Sequence, residues 1–491
     1  MADEPFGFFL RRRVDGKFSG FAYGTKLDDL RKIGDPPVKE EEKPKDSSDG
    51  EAALPQDETH PLEKLMKEAV ASGLSQFDLI WVSAGARTLF ANAFMENEVL
   101  TKVDNHCKKF EETEKYTIWT VPEDTYFEIA ESHDQLKQLR RGLETLPAAV
   151  LMNMVATFDS TVVEIIRSMF TLKSELFKEL DRSVDVKDIL SVASLEELQG
   201  KIIDQEVYKF SRGSHDEQTA FIEKNFHVEI RKSWKRWADF IEIFERRNLI
   251  AHGEKEFNNR YSSICQSNGH SGSEKLLGEK IELRREYLAQ SCDILIEFSV
   301  LLIFSLWKKH YTADEEKAFD QINDTIFNLI GRGRYMLATR LSEYVLSLKG
   351  TKMTELVRRM IIVNNASAYR HAGNRDKSDK VLNEVDWSAA SDNFKICVAA
   401  LKDDMDEVER VMPLVIQADS IEKSSFRSWP VFKFAREDKR FQDAFEKAFG
   451  EALLRGKIEA KDSEGDVAQS DGMKEGQQVS GETSEDIKTV H

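Results

Sequence analysis

The chain has 491 residues, which is about three domains' worth of sequence and enough to bury a sizeable core. It carries 70 Lys and Arg against 88 Asp and Glu, a net charge of −18, so a histone-like coat for nucleic acid is excluded. Any polyanion-binding site must therefore be a local basic patch. A hydrophobic content of 41% with 32% charged residues is typical of a globular protein with polar tails.

The N-terminal region contains a turn signal followed by a charged, proline-rich stretch. Asp15-Gly16 lies between apolar and aromatic runs, a pattern typical of a tight turn, so a β-hairpin is predicted within residues 1–34. Residues 35–61 hold five of the ten prolines and an acid-rich run. We expect this stretch to be a disordered acidic linker.

Long helices dominate the middle of the sequence. Residues 62–146 indicate a mixed, mostly helical region with a strand-like piece at 116–121. The hydrophobic pattern changes at Pro147, and helical spacing then recurs in four segments. The four predicted helices begin near Pro147, Leu195, Val228 and Leu283. The prediction is a helical bundle over residues 147–312 within a mainly α-helical protein.

Residues 315–450 contain an internal repeat at a spacing of forty residues. Gly333-Arg334-Tyr335 followed by Ala338 recurs as Gly373-Asn374-Arg375 followed by Ser378, each within a helix-turn-helix pattern, and a weaker third copy lies around Asp403 and Val408. Stacked helical hairpins, similar to tetratricopeptide repeats, are predicted, and an irregular helical domain is the alternative. Aromatic residues between 429 and 450 indicate a cap on the last repeat. Residues 456–491, with nine acids against four lysines, are expected to be a disordered tail.

The cysteines and the apolar segments indicate the compartment. Four cysteines lie far apart, without a CxxC pair: Cys107, Cys265, Cys292 and Cys397. This spacing favours a reducing environment and no disulfide framework. The longest apolar stretch, residues 294–307, is interrupted by Glu297 and is too short to span a bilayer, so we expect a buried core helix. The predicted location is cytoplasmic, with no membrane segment.

One predicted bundle helix ends in polar residues. An apolar stripe at steps of three and four contains Trp234, Trp237, Ile241 and Phe244, and the same stripe continues into Asn248, Ala251 and His252. A buried polar group without a partner costs about 1–3 kcal/mol. The stripe therefore predicts either a satisfied internal network or a cavity that admits a ligand. Gly253 is suited to the left-handed position that ends a helix.

The same segment is locally basic. Residues 229–260 carry eight basic and six acidic side chains, a local charge of +2 with the right sign for phosphate. On an ideal helix, at about 100° per residue, Arg247 and His252 diverge by about 140°. Two explanations remain open for how both could serve one site. Either the last helical turn loosens, or a second copy of the chain completes the site across a twofold axis.

At these residues the sequence resembles a known family. The string Arg247-Asn248-Leu249-Ile250-Ala251-His252 matches the Arg-x4-6-His signature, in its Arg-Asn-x3-His form, of HEPN (higher eukaryotes and prokaryotes nucleotide-binding) domains. The resemblance covers residues 150–310. Three further strings look similar to bacterial HEPN proteins: Phe158-Asp159, Asn259-Arg260-Tyr261 and Glu286-Tyr287-Leu288. Gly253-Glu254 departs from the Asn or Asp that usually follows the histidine.

The resemblance implies a helical bundle and a metal-independent endoribonuclease that dimerises to bring two copies of the Arg and His together. His252 would transfer protons and Arg247 would face the phosphorane, since an imidazole titrates near neutrality and a guanidinium matches phosphoryl oxygens. Asn248 would hold His252 or the phosphate, with Arg246 and Arg260 as substrate-binding residues. No cofactor or metal is expected. The implied partners are RNA, a second copy of the chain and a neutralising antitoxin, because many such proteins are toxins or antiphage-defence effectors.

A second reading has no catalysis. In it Arg247, Asn248 and His252 form only an internal polar network, the bundle dimerises, and the repeats bind a protein or peptide. Other candidate sites are weaker. His215 and His227 lack HExxH or Cys partners, so a metal site is not predicted there.

Overall fold

The computed structural model describes residues 7–12, 18–24, 60–88, 95–112, 117–120, 122–173, 175–176, 184 and 186–453. The protein is mainly α-helical, as predicted. The predicted linker up to residue 59, the turn at Asp15-Gly16 and the predicted tail lie outside the described residues.

The described strands form two small antiparallel hairpins. Strand β1 (Gly7–Arg12) pairs with β2 (Phe18–Gly24), and β3 (Lys108–Glu112) pairs with β4 (Thr117–Thr120). The strand-like piece expected at 116–121 is therefore confirmed as β4. The N-terminal pair lies on either side of the turn signal in the sequence.

Nine helices precede the repeat region in the described part of the chain. They are α1 (Pro61–Thr88), α2 (Met95–His106), α3 (Glu123–Leu172), α4 (Val186–Leu190), α5 (Leu195–Ser211), α6 (His215–Phe226), α7 (Trp237–Ala251), α8 (Asn259–Ser267) and α9 (Arg285–His310). Helix α9 carries the predicted buried apolar stretch. Helices α3 and α9 are each long and apolar enough to span a membrane, but 83% of the apolar window of α9 is buried inside the protein.

Helix α3 corrects the predicted boundary at Pro147. The helix runs unbroken through this proline for 50 residues. A proline removes one backbone donor and usually ends or kinks a helix, but here the following turns are held by the core, in which Val150 and Leu151 are buried. Residues 123–146 are largely exposed where their side chains are described. The change at Pro147 is therefore a change in burial within one helix.

Helix α1 also belongs to the bundle, which the sequence prediction missed. Leu62 and Met66 are fully buried in the same cluster as α9. At Gly73 the two helices approach so closely that an added Cβ would lie 2.3 Å from Cγ1 of Ile296. The predicted separate region over 62–146 is therefore wrong for its first part.

Helix α7 begins at Trp237 rather than near Val228. The chain leaves α6 through His227, which has a left-handed φ of 52°, and then follows an irregular path. The Glu223 carboxylate accepts backbone N–H groups of Ile230 and Arg231 at 2.9 and 2.8 Å, so this path satisfies its donors without a helix.

Three helical hairpins form the repeat region. Their helices are α10 (Glu315–Gly331), α11 (Tyr335–Ser347), α12 (Glu355–His371), α13 (Arg375–Asn383), α14 (Asp392–Lys402) and α15 (Met405–Gln417). Each hairpin turns at a left-handed residue, with φ of 74° at Gly333, 78° at Gly373 and 58° at Asp403. The residues five positions later, Ala338, Ser378 and Val408, are all fully buried. A helix, a turn and a second helix are therefore present at each of the three places where the sequence pattern indicated them.

The last hairpin is covered by aromatic residues. Helices α16 (Lys423–Ser428) and α17 (Lys439–Phe449) follow it. Phe432 and Phe441 are fully buried with ring centroids 5.8 Å apart, and Phe426 lies against both. The predicted aromatic cap is thus present at this end.

The bundle and the first helical hairpin share one hydrophobic cluster, whereas the later hairpins and the cap pack around a second one. A single hydrophobic cluster contains Phe158 of α3, Phe298 of α9 and Leu341 of α11. Glu297 of α9 accepts a hydrogen bond from Trp234 Nε1 at 2.8 Å and pairs with Arg340 of α11 at 2.5 Å. A buried carboxylate persists only when it is paired in this way. The expected division near residue 313 is therefore not a break in packing.

Candidate active site

Helix α7 ends in a regular turn. The His252 N–H donates to the Asn248 carbonyl at 3.0 Å, and Gly253 adopts a φ of 77° as its position in the sequence predicted. The Glu254 N–H then closes the cap on the Leu249 carbonyl at 3.0 Å. Of the two explanations for the divergence of Arg247 and His252, a loosened last turn is therefore wrong.

Arg246 lies in an internal network. Its guanidinium pairs with Glu242 at 2.7 Å, and the same carboxylate accepts hydrogen bonds from the hydroxyls of Tyr261 at 2.6 Å and Tyr287 at 2.9 Å. The side chains of Arg246 and Glu242 are only 12% and 5% exposed. Burial, together with the charge of Glu242, raises the pKa of both tyrosines.

This network corrects the expectation for Arg246. Adjacent residues on a helix point about 100° apart, so Arg246 and Arg247 lie on different sides of α7. Arg246 has its donors occupied by Glu242 and by the carbonyl of Glu282, and its plane lies 3.8 Å from the Tyr287 ring centroid. Its hydrogen bonds therefore hold it in this network, and it also lines a second open cleft of about 590 Å³ together with Lys280 and Arg284.

Arg247 lies in an open cleft of about 630 Å³ on the other side of α7. Asn248 and Arg260 line the same cleft, so three of the five predicted site residues meet there. The Nε atom of Arg247 is buried and has no hydrogen-bond partner in the structure. A desolvated guanidinium donor without an acceptor is costly, and among the residues that line this cleft only Arg247 has a buried side-chain atom without a partner.

Asn248 is held by a neighbouring carboxyl group. Its Nδ2 donates to Oε1 of Glu245 at 3.3 Å, one turn earlier on α7. Burial raises the pKa of Glu245, and the positive charge of Arg260 opposes that rise. The predicted role of Asn248 in holding His252 is therefore not what the structure has.

His252 lies at the exposed end of α7, outside the lining of the cleft. The apolar stripe predicted to carry it into the core ends earlier. Phe240 and Phe244 are buried, Asn248 is half-buried, and Ala251 is exposed. The stripe prediction failed here because α7 leaves the bundle core over its last turn.

The cleft contains a histidine that the sequence analysis did not place there. His215, the first residue of α6, pairs through Nε2 with Oδ1 of Asp159 on α3 at 2.8 Å. Its ring stacks on Phe244 of α7 with centroids 3.3 Å apart. The sequence carried a local signal, since Ser214 and Glu217 form a capping box that starts α6 at this residue. Only the packing of α6 against α3 and α7 brings His215 into the cleft.

Other chemistries find little support in the described residues. They contain no group of three or more His, Cys, Asp and Glu side chains placed to hold a metal ion. All four cysteines are buried, and burial raises the pKa of Cys265, Cys292 and Cys397 to about 12. These thiols are therefore protonated at neutral pH and are poor nucleophiles.

Fold and cleft together define a class: a mainly α-helical protein in which a bundle with a lateral, arginine-lined cleft continues into three helical hairpins and an aromatic cap. Comparisons of the chain with family models, with curated proteins and with solved structures found no match.

Proposed function

We propose that the protein is a metal-independent endoribonuclease of HEPN type that acts as a homodimer. The observation that carries this proposal is the buried, unpartnered Nε of Arg247 in the cleft. Arg260 adds a second positive charge to the same lining. A forked, permanently charged guanidinium matches the oxygens of a phosphodiester, so RNA passing through the cleft would supply the missing acceptor.

The proposed reaction uses the substrate's own 2′-hydroxyl. A base removes the 2′-proton, O2′ attacks phosphorus, the bond from phosphorus to O5′ breaks, and an acid protonates the leaving O5′. The products are a 2′,3′-cyclic phosphate and a free 5′-hydroxyl. Arg247 stabilises the charge that builds on the phosphorane, and His252 takes part in proton transfer.

The proposed dimer accounts for the position of His252. The last turn of α7 is regular and His252 does not line the cleft of its own chain. A twofold axis beside the end of α7 would place the His252 of one copy over the Arg247 of the other. Each dimer would then hold two composite sites.

The cellular role is proposed from the motif alone. A cytoplasmic ribonuclease of this kind acts as a toxin or antiphage-defence effector and requires a neutralising antitoxin until it is triggered. The helical hairpins offer the surface through which such a partner would bind.

The test is RNA cleavage in EDTA. Wild-type protein should produce fragments with 2′,3′-cyclic phosphate ends, and DNA of the same sequence should stay intact because it has no 2′-hydroxyl. The His252→Ala variant should be inactive, whereas His106→Ala, which alters an exposed histidine at the end of α2, should cleave like wild type. Intact RNA with folded, dimeric wild-type protein would contradict the proposal.

A second candidate function is a scaffold that binds a peptide through the repeats. It is favoured by two exposed apolar side chains near the starts of neighbouring repeat helices. Met336 of α11 is 51% exposed and Leu356 of α12 is 61% exposed. In that case the protein would bind its partner but leave RNA uncut, and Met336→Ser with Leu356→Ser would weaken binding.

A further inference from the structure

We propose that His215, oriented by Asp159, is the general base of the cleft and works opposite the His252 of a second copy. The inference rests on the proposed ribonuclease function and adds a catalytic residue to it. Cleavage through the 2′-hydroxyl needs both a base and an acid. The Arg-x4-6-His string supplies one histidine, and the geometry of the cleft supplies the other.

The pairing with Asp159 determines which nitrogen of His215 is available. A carboxylate only accepts hydrogen bonds, so the contact of 2.8 Å requires the proton on Nε2. In the neutral ring Nδ1 then carries the free lone pair, which is what a general base needs. When Nδ1 takes the 2′-proton, the adjacent carboxylate stabilises the imidazolium that forms.

The ring is also held in place. It stacks on Phe244 at 3.3 Å with planes 12° apart, and its side chain is 12% exposed. The capping box at Ser214 holds the start of α6, on which His215 is the first residue. A base that is fixed in this way loses little entropy on reaching its transition state.

Charged groups from five parts of the chain line the same cleft as His215. They are Asp159 of α3, Arg212 before α6, Asp216 of α6, Glu245 and Arg247 of α7, and Arg260 of α8. Three of them are acidic and three are basic. The direct hydrogen bond with Asp159 is the contact specific to His215.

The balance of the step requires no further reactant. Nδ1 of His215 takes the proton from O2′, the O2′ to phosphorus bond forms as the phosphorus to O5′ bond breaks, and O5′ takes a proton from the imidazolium of the second copy's His252. Arg247 faces the phosphoryl oxygens throughout. Both histidines return to their starting states when the proton passes back through solvent.

The experiment is a pH–rate profile of RNA cleavage for the full-length dimer. Wild type should give a bell, because the base must be deprotonated and the acid protonated. His215→Gln should lower kcat by about 10²–10⁴-fold and remove the rise on the acidic side. A purely structural role would lower activity without changing the shape of the profile.

Asp159→Asn provides a second variant that keeps the imidazole. An amide in place of the carboxylate can present its NH₂ group, which favours the other tautomer, so activity should fall while the melting temperature changes little. His106→Gln serves as the matched control and should behave as wild type. If His215→Gln is active and its pH–rate profile keeps the rise on the acidic side, this inference is wrong and the ribonuclease proposal stands. A wild type that leaves RNA intact overturns the ribonuclease proposal and this inference together.

Discussion

Arg246 and Arg247 are neighbours in the sequence and line different clefts of similar size, yet their hydrogen bonding differs. Arg246 is enclosed by one carboxylate and two tyrosines, and its donors are occupied. Arg247 lines an open cleft, and its buried Nε has no partner. The comparison teaches that a charged residue near a motif has to be judged by whether its hydrogen bonds are already satisfied.

The difference also separates stability from function. The network around Arg246 ties α7 to α8 and α9 through Glu242, Tyr261 and Tyr287. Arg247 makes no comparable tie and would bring its full charge to a ligand. We therefore expect substitutions on the two sides of α7 to have opposite signatures, one in unfolding and one in activity.

The largest expected effect is on stability. Glu242→Ala leaves Arg246 and two tyrosine hydroxyls buried without their acceptor, so the free energy of unfolding should fall by about 3–5 kcal/mol. Arg247→Ala should change it by less than about 1 kcal/mol. Urea unfolding followed by circular dichroism measures both. The control is Glu279→Ala, which removes an exposed acid outside this network and should leave the free energy of unfolding unchanged. Equal losses for Glu242→Ala and Arg247→Ala would refute the distinction between the two sides.

A smaller effect is expected at Glu245, whose charge opposes an anionic ligand. Because burial raises its pKa, this carboxyl contributes stability at low pH that is lost as the pH rises through the raised value. The Glu245→Gln variant should therefore have a larger free energy of unfolding than wild type only above that pH. At neutral pH it should also bind RNA about two- to fivefold more tightly, as expected for removal of one partly exposed charge.

Thermal melting between pH 4 and pH 8 and fluorescence anisotropy with 2′-O-methyl RNA, which cannot be cleaved, measure these two effects. A stability difference between Glu245→Gln and wild type that does not change with pH would show that the carboxyl does not titrate as described. Weaker RNA binding by the variant would place the polyanion outside this cleft.

Sequence patterns predicted the features that depend on local spacing. The end of α7 at Gly253, strand β4 and the repeat register at Gly333 and Gly373 all reflect backbone preferences within a few residues. Left-handed turns and buried small residues leave a readable mark in one stretch of chain.

Features that depend on packing between distant segments were missed. Helix α1 joins the core because Gly73 allows close approach to Ile296, more than 200 residues away. His215 reaches the cleft because α6 packs between α3 and α7, and no spacing near His215 encodes that. The difference between Arg246 and Arg247 also depends on contacts that Arg246 makes outside α7, with the Glu282 carbonyl and the Tyr287 ring.

The most direct test of the account mixes two inactive variants. Arg247→Ala and His252→Ala should each fail to cleave RNA as homodimers. When equal amounts of the two variants are unfolded together and refolded, half of the dimers contain one chain of each variant. Each such dimer holds one intact composite site. The mixture should recover about a quarter of the wild-type activity, as twofold symmetry requires. A mixture that forms heterodimers yet stays inactive would contradict a site shared between two copies of the chain.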